Sequence, residues 1–268
     1  MPEPAFRTPR STWPETADVV TALRTAGCVF AEDEARLLFS AAGTPDELAA
    51  MVERRAGGLP LEHVVGWAEF AGLRIAVDPG VFVPRRRTEF LVARAAALLR
   101  PGAVVLDLCC GSGAVGAALA AAVPGIELHA ADLDPAAVRC ARRNLAPAGG
   151  QVHHGDLFAP LPAGLRGRVD LLAANVPYVP TGDLPFLPSE ARDHEAPLAL
   201  DGGADGLDLL RRVARSAGSW LAAGGALVSE TSRAQAAAAR AVVRAEGLTA
   251  RTAHDPDLGA TVLLATRR

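Results

Sequence analysis

From Thr88 onward, short apolar runs and helical patterns take turns along the chain, and that alternation constrains the fold more than any other feature. A helix from Thr88 to Leu99 leads into AVVLDL, a glycine-rich junction with a helix, ELHAA, and the helix PAAVRCARRNL. A short strand at Val152 follows, then VDLLAA, a helix from about Asp205 to Leu221, ALVSE, a further helix and a last strand at TVLLA. Strands separated by helices pair in parallel and are covered on both faces. The pattern therefore predicts an α/β fold with a mostly parallel sheet.

The region before this alternation has another character. Ser11 and Thr12 precede Pro14 and Glu15, and a periodic stretch through Val19, Val20 and Leu23 runs to Gly27. A second helix covers Glu32 to Ala42. The third opens on Thr44, Pro45, Asp46 and Glu47, which supply an N-cap, a proline at the first helical position and a capping-box acid, and ends at Gly57 and Gly58. From Leu61 to Pro84, apolar residues between glycines at 66, 72 and 80 fit short strands or a hairpin. The expected organisation is a helical domain over 1–60, a β-hairpin linker over 61–87 and an α/β domain over 88–268.

Composition excludes several partners. The 268 residues carry 27 cationic side chains, all arginine, against 30 acids, a net charge of -3, so general affinity for a phosphate backbone is not expected. No apolar run approaches the roughly 18 to 20 residues of a membrane helix, and MPEPAFRTPR lacks a signal-peptide core, so no membrane partner and a cytoplasmic location are expected. Four cysteines without C-x-x-C spacing suit a reducing compartment and give no zinc cage, and no metal site is expected. His153 and His154 are adjacent, so in an extended segment they point to opposite faces.

The candidate site lies at the carboxyl ends of the strands. Asp107 ends the first strand, and Gly111, Gly113 and Gly116 carry the chain into the next helix, where glycines admit a ligand to the backbone. These glycines also spell G-x-G-x-x-G, so a dinucleotide site is weighed against an S-adenosylmethionine site. Asp132 ends the second strand, where its carboxylate can accept ribose hydroxyls, and Asp156, with Leu157 beside it, follows the third. Acid, glycines, acid and acid at successive strand ends suit S-adenosyl-L-methionine. After VDLLAA come Asn175, Val176, Pro177 and Tyr178, and Tyr178 is the only tyrosine in the chain.

With that tetrapeptide the chain resembles the adenosylmethionine-dependent N-methyltransferases, and more narrowly the HemK-type protein-(glutamine-N5) methyltransferases that modify peptide chain release factors. The likeness rests on PLEHVVGWAEFAGLRIAVDPGVFVPRRRTEFLV, DLCCGSGAVGAALA, NVPYVP and EAPLALDGGADGLD, which fall within positions 60 to 208. It implies a class I methyltransferase fold with a Rossmann-like, seven-stranded, mostly parallel sheet, a helical N-terminal region for substrate recognition and a cofactor site at Asp107, Cys109, Gly111, Gly113, Asp132, Asp156, Leu157 and Asn175. It also implies a catalytic set of Asn175, Val176, Pro177 and Tyr178: the Asn175 oxygen and the carbonyl of residue 176 accept the two N–H bonds of a glutamine amide, and Tyr178 packs against its plane. The expected partner is a release factor met by a monomeric enzyme.

Four positions depart from the family pattern. Cys109 replaces the usual first glycine of the cofactor loop, so negative φ is expected there. Val176 replaces the first proline of Asn-Pro-Pro-Tyr. Pro84, Arg85, Arg86, Arg87, Thr88, Glu89 stands where relatives carry Pro-Arg-Pro-Glu-Thr-Glu, and this arginine run reads either as solvated surface or as a contact to an acidic partner. Glu195 and GGADGLD match a family loop near the substrate channel, although turn glycines before a helix explain most of that pattern. Other readings left open are a nucleobase exocyclic amine as acceptor, a non-catalytic adenosylmethionine-binding paralogue and a dinucleotide oxidoreductase.

Overall fold

The computed structural model describes residues 12–268. The chain divides into two compact units after Val65. The first unit contains α1 (Thr16–Thr25), α2 (Ala31–Ala41), α3 (Pro45–Ala56) and α4 (Leu61–Val65). Glu15 occupies the N-cap of α1, and the expected cap at Ser11 lies outside the described residues. Thr44 caps α3 by accepting the Glu47 N–H at 3.1 Å, and the Glu47 carboxylate reaches back to the Gly43 N–H at 2.7 Å. Leu23, Ala31, Leu38, Leu48 and Val64 close the core, beside a buried two-point ion pair between Glu34 and Arg55. Strands were expected from Leu61, yet 61–65 is helical. The helical turn after Pro60 carries Val64 into this core and buries His63, which a strand starting at Leu61 would not do.

The second unit opens with a hairpin, β1 (Trp67–Phe70) and β2 (Leu73–Ala76). Its two-residue turn has positive φ at both Ala71 (50°) and Gly72 (74°), which matches the strand twist. Then follow α5 (Glu89–Ala96), β3 (Val104–Leu108), α6 (Ala114–Ala122), β4 (Glu127–Asp132), α7 (Pro135–Leu145), β5 (Gln151–His154) and β6 (Val169–Ala174). The unit ends with α8 (Ser189–His194), α9 (Asp208–Trp220), β7 (Leu221–Glu230), α10 (Ala236–Ala245), β8 (Thr249–Asp255) and β9 (Ala260–Thr266). A seven-stranded sheet runs in the order β5-β4-β3-β6-β7-β9-β8, parallel from β5 to β7 and antiparallel for β9 and β8.

Side chains alternate across the sheet, as strand geometry requires. Val105 and Leu171 enter one apolar layer with α5, α6 and α7, while Leu106 and Leu172 enter the other with α9 and α10. From β3 the chain steps outward through β4 to β5, then crosses back to β6 on the other side of β3. The crevice at that switch point, at the carboxyl ends of the strands, is where such sheets bind ligands.

Candidate active site

A cavity of about 480 Å³ opens at this switch point. It brings together Asp107, Cys109, Gly111, Asp132, Asp156, Leu157 and all four residues of Asn175 to Tyr178, which are scattered over more than seventy positions of sequence.

At the cofactor end, Asp107 is buried and accepts the Gly116 N–H at 2.9 Å. Burial pushes its carboxyl up to about 7, against the pull of that N–H and with the Asp132 charge adding to the rise. Asp132 accepts the Gly111 N–H at 2.8 Å on one oxygen and the Asp134 N–H at 2.9 Å on the other. Each oxygen retains a lone pair for a further donor. Burial raises this carboxyl too, opposed by the backbone N–H groups. Gly111, with φ of 54°, presents backbone to the cavity, and a Cβ there would meet only Phe82 at 4.0 Å.

Gly113 does something else. It does not line the cavity, and a Cβ on it would lie 3.2 Å from Ala141 and Leu145, so its role is close packing of α6 on α7. Gly116 likewise faces Asp107, Leu128 and Leu145. Asp134, not Asp132, caps α7, accepting the Ala136 N–H at 2.7 Å.

The expectation of negative φ at Cys109 is corrected: φ is 53°. The loop turns through the left-handed region whatever residue occupies it, at a cost of roughly 1–2 kcal/mol for a side chain with a Cβ. Leu157 is also left-handed, at 48°, and both residues line the cavity, in keeping with strain gathering at functional sites. Both vicinal cysteines are free, and burial holds the Cys109 and Cys110 thiols well above their ordinary range, so they stay neutral. Asp156 is ion-paired with Arg212 at 2.5 Å.

At the other end of the cavity the tetrapeptide follows β6, steadied where the buried Ser229 hydroxyl donates to the Ala174 carbonyl at 2.7 Å. Asn175 lines the cavity, and its side-chain oxygen is buried with no hydrogen-bond partner among the described residues. Such an orphan acceptor is uncommon, and this one belongs to a residue of the cavity wall. The Tyr178 hydroxyl donates to Glu230 at 2.6 Å.

The arginine run is neither wholly solvated surface nor free for a partner. Arg85 donates to both oxygens of buried Glu195, at 2.7 and 2.6 Å, and Arg87 donates through Nε to buried Glu230 at 2.8 Å. Arg86 and Arg87 are both exposed, and Arg87 leaves 47% of its side chain open while its Nε holds Glu230. Two supports had no sequence signal. Asn144 accepts the Ala76 N–H and donates to the Ala76 and Ser112 carbonyls, tying the hairpin to the cofactor loop. Gln235 donates to the Tyr178 and Asp205 carbonyls, each at 2.9 Å, and so joins the tetrapeptide to the GGADGLD loop. His153 meets His129 on β4 at 3.3 Å instead of His154, and no cluster among the described residues could hold a metal.

Strand-end acids, a glycine loop and the Asn175 tetrapeptide gathered in one crevice at the switch point of a seven-stranded sheet are the layout of a Rossmann-like methyltransferase. The methyltransferase small domain model matches residues 72–183. The chain is 40% identical to the release factor glutamine methyltransferase of Streptomyces coelicolor, covering 81% of this chain and 79% of that one. It is 39% identical to the 4-amino-L-phenylalanine/4-methylamino-L-phenylalanine methyltransferase of Streptomyces pristinaespiralis, over 81% and 76% of the two chains. The fold is shared with a methyltransferase from Pyrococcus furiosus at a TM-score of 0.55 and 17% identity, covering 73% of this chain and 88% of that one. The chain belongs to the release factor glutamine methyltransferase family, and its methyl donor is S-adenosyl-L-methionine. The spare lone pairs of Asp132, the open wall at Gly111 and the cavity volume fit that donor.

Proposed function

We propose that the protein methylates the side-chain amide nitrogen of a glutamine in a peptide chain release factor. The observation that carries this reading is the buried, unpartnered Asn175 oxygen on the wall of the donor cavity. When bound, S-adenosyl-L-methionine supplies an electrophilic methyl group on a sulfonium. An amide nitrogen is a poor nucleophile because its lone pair is delocalised into the carbonyl, so orientation has to do most of the work.

In this reading Asn175 Oδ1 and the Val176 carbonyl accept the two amide N–H bonds and turn the nitrogen toward the methyl. The same oxygens would stabilise the positive charge that grows on the nitrogen as the methyl–sulfur bond breaks to leave a neutral thioether; the acidified amide then gives one proton to water, with no strong base required. Pro177 keeps Val176 extended so that its carbonyl serves as an acceptor. The Tyr178 ring packs against the amide plane. At the donor end, Asp132 holds the ribose hydroxyls, Asp156 and Leu157 face the adenine, and Asp107, Cys109 and Gly111 surround the amino-acid portion. The helical unit before Val65 serves recognition of the protein substrate. The enzyme acts as a cytoplasmic monomer on protein, not on nucleic acid; no helix among the described residues is long and apolar enough to cross a membrane.

The test is the mass of glutamine-containing release-factor peptides after incubation with the full chain and donor. A gain of one methyl in place of hydrogen on the glutamine is expected. No gain, with donor bound tightly, sinks the proposal. A second reading, an aromatic amine on a free amino acid, is favoured by the 39% identity to the aminophenylalanine enzyme. Offering 4-amino-L-phenylalanine in competition in the same assay separates the two.

A further inference from the structure

We propose that Glu230 is a positioning residue for this transfer: a buried carboxylate that fixes the Tyr178 ring at the acceptor end of the cavity and acts through it. The inference rests on the reading of Tyr178 given above. Glu230 ends β7, the strand beside the one that carries the tetrapeptide, and its side chain is 3% exposed. Its Oε1 accepts the Tyr178 hydroxyl at 2.6 Å and Arg87 Nε at 2.8 Å, and its Oε2 accepts the Thr88 hydroxyl at 2.6 Å. Three donors from two distant segments thus converge on one carboxylate, which is how a charge is kept inside a protein.

The consequence falls on Tyr178. A tyrosine side chain held only by its backbone can rotate about two bonds, and a ring that must lie flat against an amide cannot be left free to do so. Here both ends are fixed. The hydroxyl is held by Glu230, the carbonyl is held by Gln235, and the Arg87 guanidinium lies 5.9 Å from the ring centre. Arg87 and Thr88 fix the carboxylate in turn, so residues of the 84–89 segment reach the acceptor through Glu230.

Because Tyr178 is the only tyrosine, the phenolate absorbance reports on this one side chain, without any need for turnover. In the full-length protein, Tyr178 is expected to ionise well above the ordinary tyrosine value of about 10, since burial and the neighbouring carboxylate both disfavour the phenolate. Glu230→Gln removes the charge and brings the titration down by about one pH unit or more. Glu230→Asp keeps the charge but withdraws it from the hydroxyl; it gives a smaller downward shift and serves if the glutamine variant does not fold. An unchanged titration in the variants overturns the proposal.

Turnover supplies the second measurement. Glu230→Gln and Tyr178→Phe are each expected to lower kcat about ten- to hundred-fold with donor affinity held within about twofold, and the double variant should be no slower than the worse single. Multiplying losses overturn the proposal, because Glu230 would then act by a route other than Tyr178. If the unaltered enzyme methylates no glutamine, the substrate reading has failed, and the phenolate titration still decides whether Glu230 holds Tyr178.

Discussion

The two ends of the cavity are built in different ways. The cofactor end is mostly local: Asp107, Gly111, Asp132 and Asp156 sit at the tips of β3, β4 and β5, and the backbone N–H bonds to Asp107 and Asp132 span at most 21 positions, while Asp156 reaches Arg212 across 56. The acceptor end is assembled from afar: Arg85 meets Glu195 across 110 positions, Arg87 and Thr88 meet Glu230 across 143 and 142, and Tyr178 meets Glu230 and Gln235 across 52 and 57. The first arrangement suits a part that binds one donor. The second lets acceptor geometry be retuned from several separate segments without disturbing the donor.

Variants that split the two ends test this division. Asn175→Ala has the largest expected effect, a fall in kcat of about 10²- to 10³-fold with donor affinity nearly unchanged, read by methylation kinetics beside calorimetry. Equal loss of both would place Asn175 in the donor site instead. Asp132→Asn is the mirror image: donor affinity falls about ten- to hundred-fold while kcat at saturating donor holds.

Proton linkage at Asp107 comes next. A cationic donor favours the ionised carboxylate, whereas in the free protein burial holds the carboxyl protonated up to about pH 7. Affinity should therefore rise with pH, up to about tenfold per unit, and level off above 7, with proton release detectable by calorimetry in two buffers. The stability sign is opposite. Asp107 is neutral when folded and ionised when unfolded between about pH 4 and 7, so its contribution is complete below pH 4 and is lost as pH climbs through 7. Asp107→Asn flattens both dependences.

The smallest effect is at Cys109. Cys109→Gly relieves left-handed strain and should stabilise the fold by about 1 kcal/mol, a rise of roughly 2–4 °C in Tm, with kcat little altered. A lower Tm would mean that packing of the thiol outweighs the backbone.

The same division explains what could be read beforehand. The alternation of apolar runs and helices gave the parallel sheet, and strand-end position marked Asp107, Asp132 and Asn175, because these depend on neighbours a few residues away. β8 was not recognisable: TARTAHD pairs antiparallel with β9 and lacks the run of branched apolar residues found in the buried strands. Cys109 misled because the conformation is set by the loop and not by the residue. Glu230 ends the apolar run ALVSE and Gln235 lies in the Ala-rich stretch AQAAAAR, and nothing near either one announces Tyr178. Arg85 and Arg87 looked like surface charges for the same reason, their acids lying more than a hundred residues away.

The GGADGLD loop limits how this enzyme can diversify. A Cβ on Gly206 would sit 2.3 Å from the Tyr178 carbonyl and 2.2 Å from Gln235 Nε2, and one on Gly202 would sit 2.8 Å from the Pro177 carbonyl. In a saturation library, positions 202 and 206 should stay blank columns. New acceptor scope would have to be selected at Phe82, Leu187 and Leu198, which line the same cavity with side chains that can be exchanged.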